Sequence, residues 1–174
     1  MSDEPIEDLL DDLEEAIGDR LKNLSLQEHL EELSEIQKDL GLSSDDVLES
    51  LCERAKILYK AERFEDAYAL LEKAKRYSTV NPKPYCFMGG LCLTRASREG
   101  ENSPSYYEAI QYFQRALQID ADYAMAHYGL GLVDLRLNVD PKSAQEKYKI
   151  LLRLEPRLAS HLKSEIDRYL TLRR

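Results

Sequence analysis

Apolar residues recur along this chain at three- and four-residue steps, with charged residues between them. Ile6, Leu9, Leu10, Leu13, Ile17, Leu21 and Leu24 form one such stripe, set among Asp and Glu. The spacing places them on one face of a helix and predicts a first helix over residues 5–22. Ser25 and Glu28 stand at capping-box spacing, and Leu26, Leu30, Leu33, Ile36 and Leu40 make a second stripe that Gly41 can end. Ser43 with Asp46 predicts the start of a third helix. Beyond Pro156, the residues Leu158, Leu162, Ile166, Tyr169 and Leu170 predict an amphipathic last helix.

Between residues 47 and 157 one helical grammar returns three times. It runs from Phe64-Glu65-Asp66-Ala67 through Leu71 to Ala74, from Tyr106-Tyr107-Glu108-Ala109 through Phe113 to Ala116, and from Lys142-Ser143-Ala144 through Tyr148 to Leu151. Each of these helices follows another, marked by Leu51, Ala55 and Leu58, by residues 85–90, and by residues 127–131. Small residues at Ala55, Gly89 and Gly131 on the leading helices, and Ala67, Ala109 and Ala144 on the trailing ones, allow close helix approach. The closing positions are Asn81-Pro82, Ile119-Asp120 and Leu154-Glu155-Pro156.

This pattern resembles the tetratricopeptide repeat (TPR) family, whose unit is a helix-turn-helix of about 34 residues. The resemblance covers about residues 48–156. It departs from the family pattern at Ala121, where proline is usual, and at His127, where a large aromatic or aliphatic residue is usual. The second unit is also longer, and its extra residues are expected as a solvent loop over 95–104, with Ser105 and Glu108 capping the helix that follows. Asp140-Pro141 should open the second helix of the third unit.

The resemblance implies an all-α chain, a right-handed α-solenoid of three units at about 48–81, 82–123 and 124–157. An acidic helical segment over 1–46 would precede the TPR domain of 47–174, and a capping helix over 158–172 would close it. It also implies a concave groove lined by the first helix of each unit. In the second and third units the groove positions fall on Cys86, Phe87, Gly90 and Leu93, and on Met125, Tyr128, Gly129, Leu132, Leu135 and Arg136. The cochaperone branch of the family grips a terminal carboxylate with Lys, Asn and Arg at five groove positions. Here those positions hold Cys52, Lys56, Phe87, Met125 and Gly129, which leaves one cation and no such clamp. A groove this apolar is expected to hold an apolar-anchored segment of another protein, as an adaptor or chaperone would, with Gly90 and Gly129 letting its backbone come close. The alternative is a structural subunit that associates with a second copy, as a homodimer or larger assembly. In overall layout the chain is similar to the translocator chaperones of type III secretion.

Composition narrows the classes further. Hydrophobic residues make up 43% of the 174 residues and charged ones 33%, with 7 Gly, 6 Pro and no Trp, a mixture that favours helix over sheet. No run of about eighteen apolar residues is present, and the acidic start is unlike a secretory signal, so no membrane insertion is expected. Cys52, Cys86 and Cys92 lack the close pairs of a zinc or redox motif and read as reduced thiols of a cytoplasmic protein. The net charge of -9 argues against nucleic acid as a partner. That charge is unevenly spread, with 16 acids and 3 bases in residues 1–46 against 17 acids and 21 bases in 47–174. The acidic helices are therefore expected to meet bases such as Arg54, Lys73 and Arg76, with Leu30, Leu33 and Ile36 supplying the apolar contact.

Catalytic motifs fail on context. Gly129-Leu130-Gly131 lacks the third glycine of a phosphate loop and lies inside a helical pattern. Ser160 and Lys163 have the spacing of penicillin-interacting enzymes without any companion motif. His29, His127 and His161 are scattered, and the acid runs lack calcium-loop spacing. The reading is therefore of no enzyme, no cofactor and no metal.

Overall fold

A computed structural model describes residues 17–41, 43–100, 103–137 and 141–172, with the side chains of Leu33 and residues 37–40 outside that description. The described residues are helices joined by short turns: α1 (17–23), α2 (Leu26–Leu40), α3 (Ser44–Lys60), α4 (Phe64–Ala74), α5 (Lys83–Glu99), α6 (Ser105–Ile119), α7 (Ala124–Arg136), α8 (Pro141–Leu154) and α9 (Pro156–Leu172). The described residues are all-α, as the resemblance implied. The first predicted helix is described only from residue 17 onward, and Asp140 also lies outside the description. Two compact units are present, 1–78 and 79–174.

In the first unit, the predicted Ser25–Glu28 capping box forms, and Ser43 with Asp46, predicted to start a helix, forms a second one. Glu28 N–H donates to Ser25 Oγ at 3.2 Å while Ser25 N–H donates back to the Glu28 carboxylate at 2.6 Å. Ser43 and Asp46 repeat the exchange at 3.2 and 3.0 Å. The hydrogen bonds from serine hold both carboxyls below their ordinary proton affinity. Gly41, at φ +61°, ends α2 in the left-handed conformation that glycine adopts without penalty.

The α1–α2 pair is fastened to the α3–α4 hairpin by specific groups. Arg63 donates to the carbonyls of Lys22 and Leu24 at 2.6 and 2.5 Å and to Asp66 at 2.8 Å. Arg54, itself buried, donates to Glu32 at 2.8 Å and lies 3.3 Å from Nδ1 of His29, which is wholly buried. Of the bases expected to meet the acidic helices, Arg54 does so. Leu21 is buried with Leu48, Leu51, Leu58, Leu70 and Leu71 in this unit's core, and Leu30 and Ile36 are half-buried. The acidic segment and the first expected repeat thus fall in one unit.

The second unit is built on two hairpins, α5–α6 and α7–α8, followed by α9. Cys86, Cys92 and Ala96 of α5, Tyr106, Ala109, Phe113 and Ala116 of α6, and Ala126 and Val133 of α7 form one core cluster. Leu135 of α7, Ala144 and Leu151 of α8, and Ala159, Leu162 and Ile166 of α9 form another. Helix α7 therefore has a core on either side, which explains why its sequence, AMAHYGLGLVDLR, is apolar around most of its circumference.

Glycine makes these approaches possible at three places. The Phe113 ring of α6 wedges between Gly89 of α5 and Gly129 of α7, where a Cβ would stand 2.7 and 2.5 Å from its Cε1. Leu162 of α9 fills the space at Gly131, with Cδ2 2.7 Å from where a Cβ would be. Polar pins add to the apolar contact: Ser143 Oγ donates to Asp134 at 2.6 Å across α7–α8, and His127 Nε2 lies 2.8 Å from the Ala121 carbonyl.

The first half of the segment expected as a loop over 95–104, residues 95–99, is helix. Helix α5 runs to Glu99 because Ala96 is buried in the core and Arg95 is held by Ser105 and Glu108. Gly100, at φ +110°, then stops it. Nor do Ser105 and Glu108 cap α6. Ser105 Oγ donates instead to Glu99 at 2.8 Å, and the Glu108 carboxylate is taken by Arg95. Ser103, also bonded to Glu99, accepts from the Ser105 N–H at 3.0 Å and closes the turn.

Candidate functional site

All ten residues expected to line the groove in the second and third repeats lie in the second unit, on α5 and α7. The structure sorts them into three groups. Phe87, Gly90, Leu93, Tyr128 and Leu132 are half-buried, while Met125, at 41% exposure, and Arg136 face solvent. Cys86, Gly129 and Leu135 are buried.

Gly129 is not available to a ligand backbone, because the Phe113 ring already occupies the space its missing Cβ leaves. Gly90 is: nothing lies within 4 Å of where its Cβ would be. Cys86 belongs to the α5–α6–α7 core, and burial pushes its thiol up to about 12, so it stays protonated and inert at neutral pH. Cys92 is similar. Its thiol is pushed up to about 11 by burial and by the acids around it, and it donates to Glu108 at 3.7 Å. Cys52 is likewise buried.

On α5, Lys83 Nζ stands 5.7 Å from the centre of the Phe87 ring, a cation–π distance. On α7, Tyr128 and Leu132 lean against the cluster shared with α9. The Tyr128 hydroxyl is held protonated by burial and by the nearby Glu165. An open recess of about 140 Å³ lies between α7 and α9, lined by Leu132, Leu135, Arg136, Glu165, Arg168, Tyr169 and Leu172. It is close in size to an engineered cavity of about 150 Å³ that accepts benzene, so one leucine or aromatic side chain would suit it.

The four α9 residues of the recess were absent from the groove assigned from sequence. Their signal was the spacing of Leu158, Leu162, Ile166 and Tyr169, which reads as a buried face. Its far edge lines the recess as well. Among the described residues no group of three or more His, Cys, Asp or Glu is placed to hold a metal ion, and no helix is long and apolar enough to cross a membrane.

Comparison with known proteins agrees with the fold. Residues 105–138 match the family model described as TPR repeat. The matched stretch is α6 plus α7, the pair whose junction holds the Phe113 wedge. None of the curated proteins compared with the chain matches it. Among solved structures the chain is similar to the Arabidopsis OM64 TPR domain, with a TM-score of 0.59 and 19% identity over 73% of this chain and 99% of that one. It is also similar to MamA, with a TM-score of 0.52 and 22% identity over 80% of this chain and 81% of that one. The chain therefore carries a tetratricopeptide repeat and has the tetratricopeptide fold.

Proposed function

We propose that the chain is a protein-binding TPR module, an adaptor or chaperone that holds a segment of a partner polypeptide against the α5, α7 and α9 face of its second unit. One observation carries the reading. Met125 is exposed on a helix otherwise packed on both sides, and half-buried Phe87, Gly90, Leu93, Tyr128 and Leu132 share its expected groove, beside a recess one side chain could fill. Water-facing apolar groups in a concave row are what an extended or helical segment with apolar anchors would cover.

A photo-crosslinking residue at Met125 should trap a partner chain, whereas the same group at Tyr107 of α6, at 64% exposure, should not. Met125→Glu places a carboxylate under the anchor, where desolvation costs about 1–3 kcal/mol and weakens binding by roughly 5- to 150-fold. Met125 is exposed, so the helical circular dichroism signal should survive. Equal trapping at both positions, together with unchanged affinity of Met125→Glu, would sink the reading.

A second reading, self-association, is favoured by the apolar residues exposed on the last two helices, Leu152 at 50% and Leu172 at 81%. It predicts a concentration-dependent mass that Leu172→Glu returns to that of a monomer in sedimentation.

A further inference from the structure

The charges around this groove select among the segments it could hold. The recess between α7 and α9 presents two guanidiniums, Arg136 and Arg168, against one carboxylate, Glu165, which Arg168 engages at 3.9 Å. At the α5 end, the Lys83 ammonium stands over the Phe87 ring. On α9, Asp167 beside Arg168 is engaged by Lys163 at 2.5 Å. The only acid of α5, Glu99, sits at its far end and is bonded by Ser103 and Ser105. The only acid of α7, Asp134, accepts from Ser143 on α8.

The sequence of the unit has the same sign. Residues 79–174 hold 14 Lys and Arg against 11 Asp and Glu, a net of +3, whereas residues 1–78 hold 10 against 22, a net of -12. Attraction between exposed charges falls off over about 8 Å in physiological salt, so the local cations at the recess decide the preference more than the total does.

We infer, resting on the groove reading above, that the segment held is acidic and amphipathic: one apolar anchor enters the recess against Leu132 and Leu135, and flanking Asp or Glu side chains meet Arg136 and Arg168. A basic segment of the same apolar pattern would set like charges against both guanidiniums. A neutral one would bury apolar surface without pairing either. An Arg–carboxylate pair forms charge-assisted and often bidentate hydrogen bonds, so it fixes register as well as adding affinity.

The test uses the full chain and three peptides of roughly 15 residues with leucines at one helical spacing and Glu, Gln or Lys at the remaining positions. Binding is read by fluorescence anisotropy at about 0.05 M and about 0.5 M salt. The Glu peptide should bind about tenfold or more tighter than the Gln peptide at low salt, lose most of that margin at high salt, and outcompete the Lys peptide throughout. The double variant Arg136→Glu, Arg168→Glu changes two exposed side chains and should transfer the preference to the Lys peptide. Equal affinities for the Glu and Gln peptides, both weakened by Met125→Glu, would overturn the acidic preference and leave the groove reading standing. Binding indifferent to Met125→Glu would overturn the groove reading itself. Self-association of the peptide-free chain that Met125→Glu abolishes would assign the face to a second copy and overturn the inference.

Discussion

The two glycines that face each other's roles most sharply are Gly90 and Gly129, and an alanine at each should move stability in opposite directions. At Gly90 a methyl group meets nothing within 4 Å, so Gly90→Ala gains only the helix preference of alanine over glycine, about 0.8–1 kcal/mol. At Gly129 the methyl group would stand 2.5 Å from Phe113 Cε1. The ring is already seated against α5, in the space left by the missing side chain of Gly89, so it has little room to withdraw that way. Overpacking of this kind costs about 1–3 kcal/mol, and wedging from both sides puts this site at the upper end. After subtraction of the same helix gain, Gly129→Ala should lose about 2 kcal/mol. The two variants would then differ by about 3 kcal/mol, which for a chain of this length is a spread of roughly 6–12 °C in melting temperature.

Far-UV circular dichroism during heating and urea titration reads the difference, and a double-mutant cycle locates it. Phe113→Leu should be costly alone, yet in the Gly129→Ala background it should cost less, because the shorter side chain makes room for the new methyl group. Additive effects in that cycle, or a Gly129→Ala chain as stable as the parent, would refute the wedge.

Other consequences can be measured in the first unit. His29 has its proton affinity lowered chiefly by burial, then by the charges of Arg54 and Arg63, with Glu32 and Asp66 pulling the other way. The unfolded chain therefore binds a proton more readily than the folded one, and His29's contribution is complete above the ordinary value of 6.5 and is lost as pH falls below it. The urea midpoint should drop between about pH 7.5 and pH 5.5, and His29→Gln should flatten that drop; a slope unchanged by the substitution would exclude His29 as its source. Glu62, at φ +60° in the α3–α4 turn, holds a conformation that glycine adopts without steric cost, so Glu62→Gly should raise stability by about 1 kcal/mol in the same urea assay. A lower midpoint would mean that the glutamate side chain contributes more than its backbone geometry costs.

Sequence periodicity proved sufficient where structure is local. The partners of Ser25/Glu28 and Ser43/Asp46 stand three positions apart and involve only their own helix ends, and both pairs start helices as read. Ser105 and Glu108 have a similar spacing and fail, because Arg95 and Glu99 on the preceding helix compete for the same side chains. No window around residue 105 contains that competition. For the same reason the end of α5 was misplaced: Arg95, Ser97, Arg98 and Glu99 look like loop residues, but Ala96 among them is anchored in the core and carries the helix on to Gly100.

The groove illustrates a deeper ambiguity, since helical spacing gives the direction a residue faces and not what already stands there. Gly90 and Gly129 are both glycines at assigned groove positions, and only the register of α6 against α5 and α7 decides that Phe113 fills one and leaves the other open. Helix α7 is the extreme case. Packed by α5 and α6 on one side and by α8 and α9 on the other, it has little circumference left for a partner, and a ligand face there reduces to Met125, the outer edges of Tyr128 and Leu132, and Arg136. So narrow a strip offers few anchors of its own, and its recess is completed by α9. A last helix that reads from its sequence as a cap thus supplies Arg168, Tyr169 and Leu172 to the candidate site, and changes at those three positions should alter binding without any change to α5 or α7.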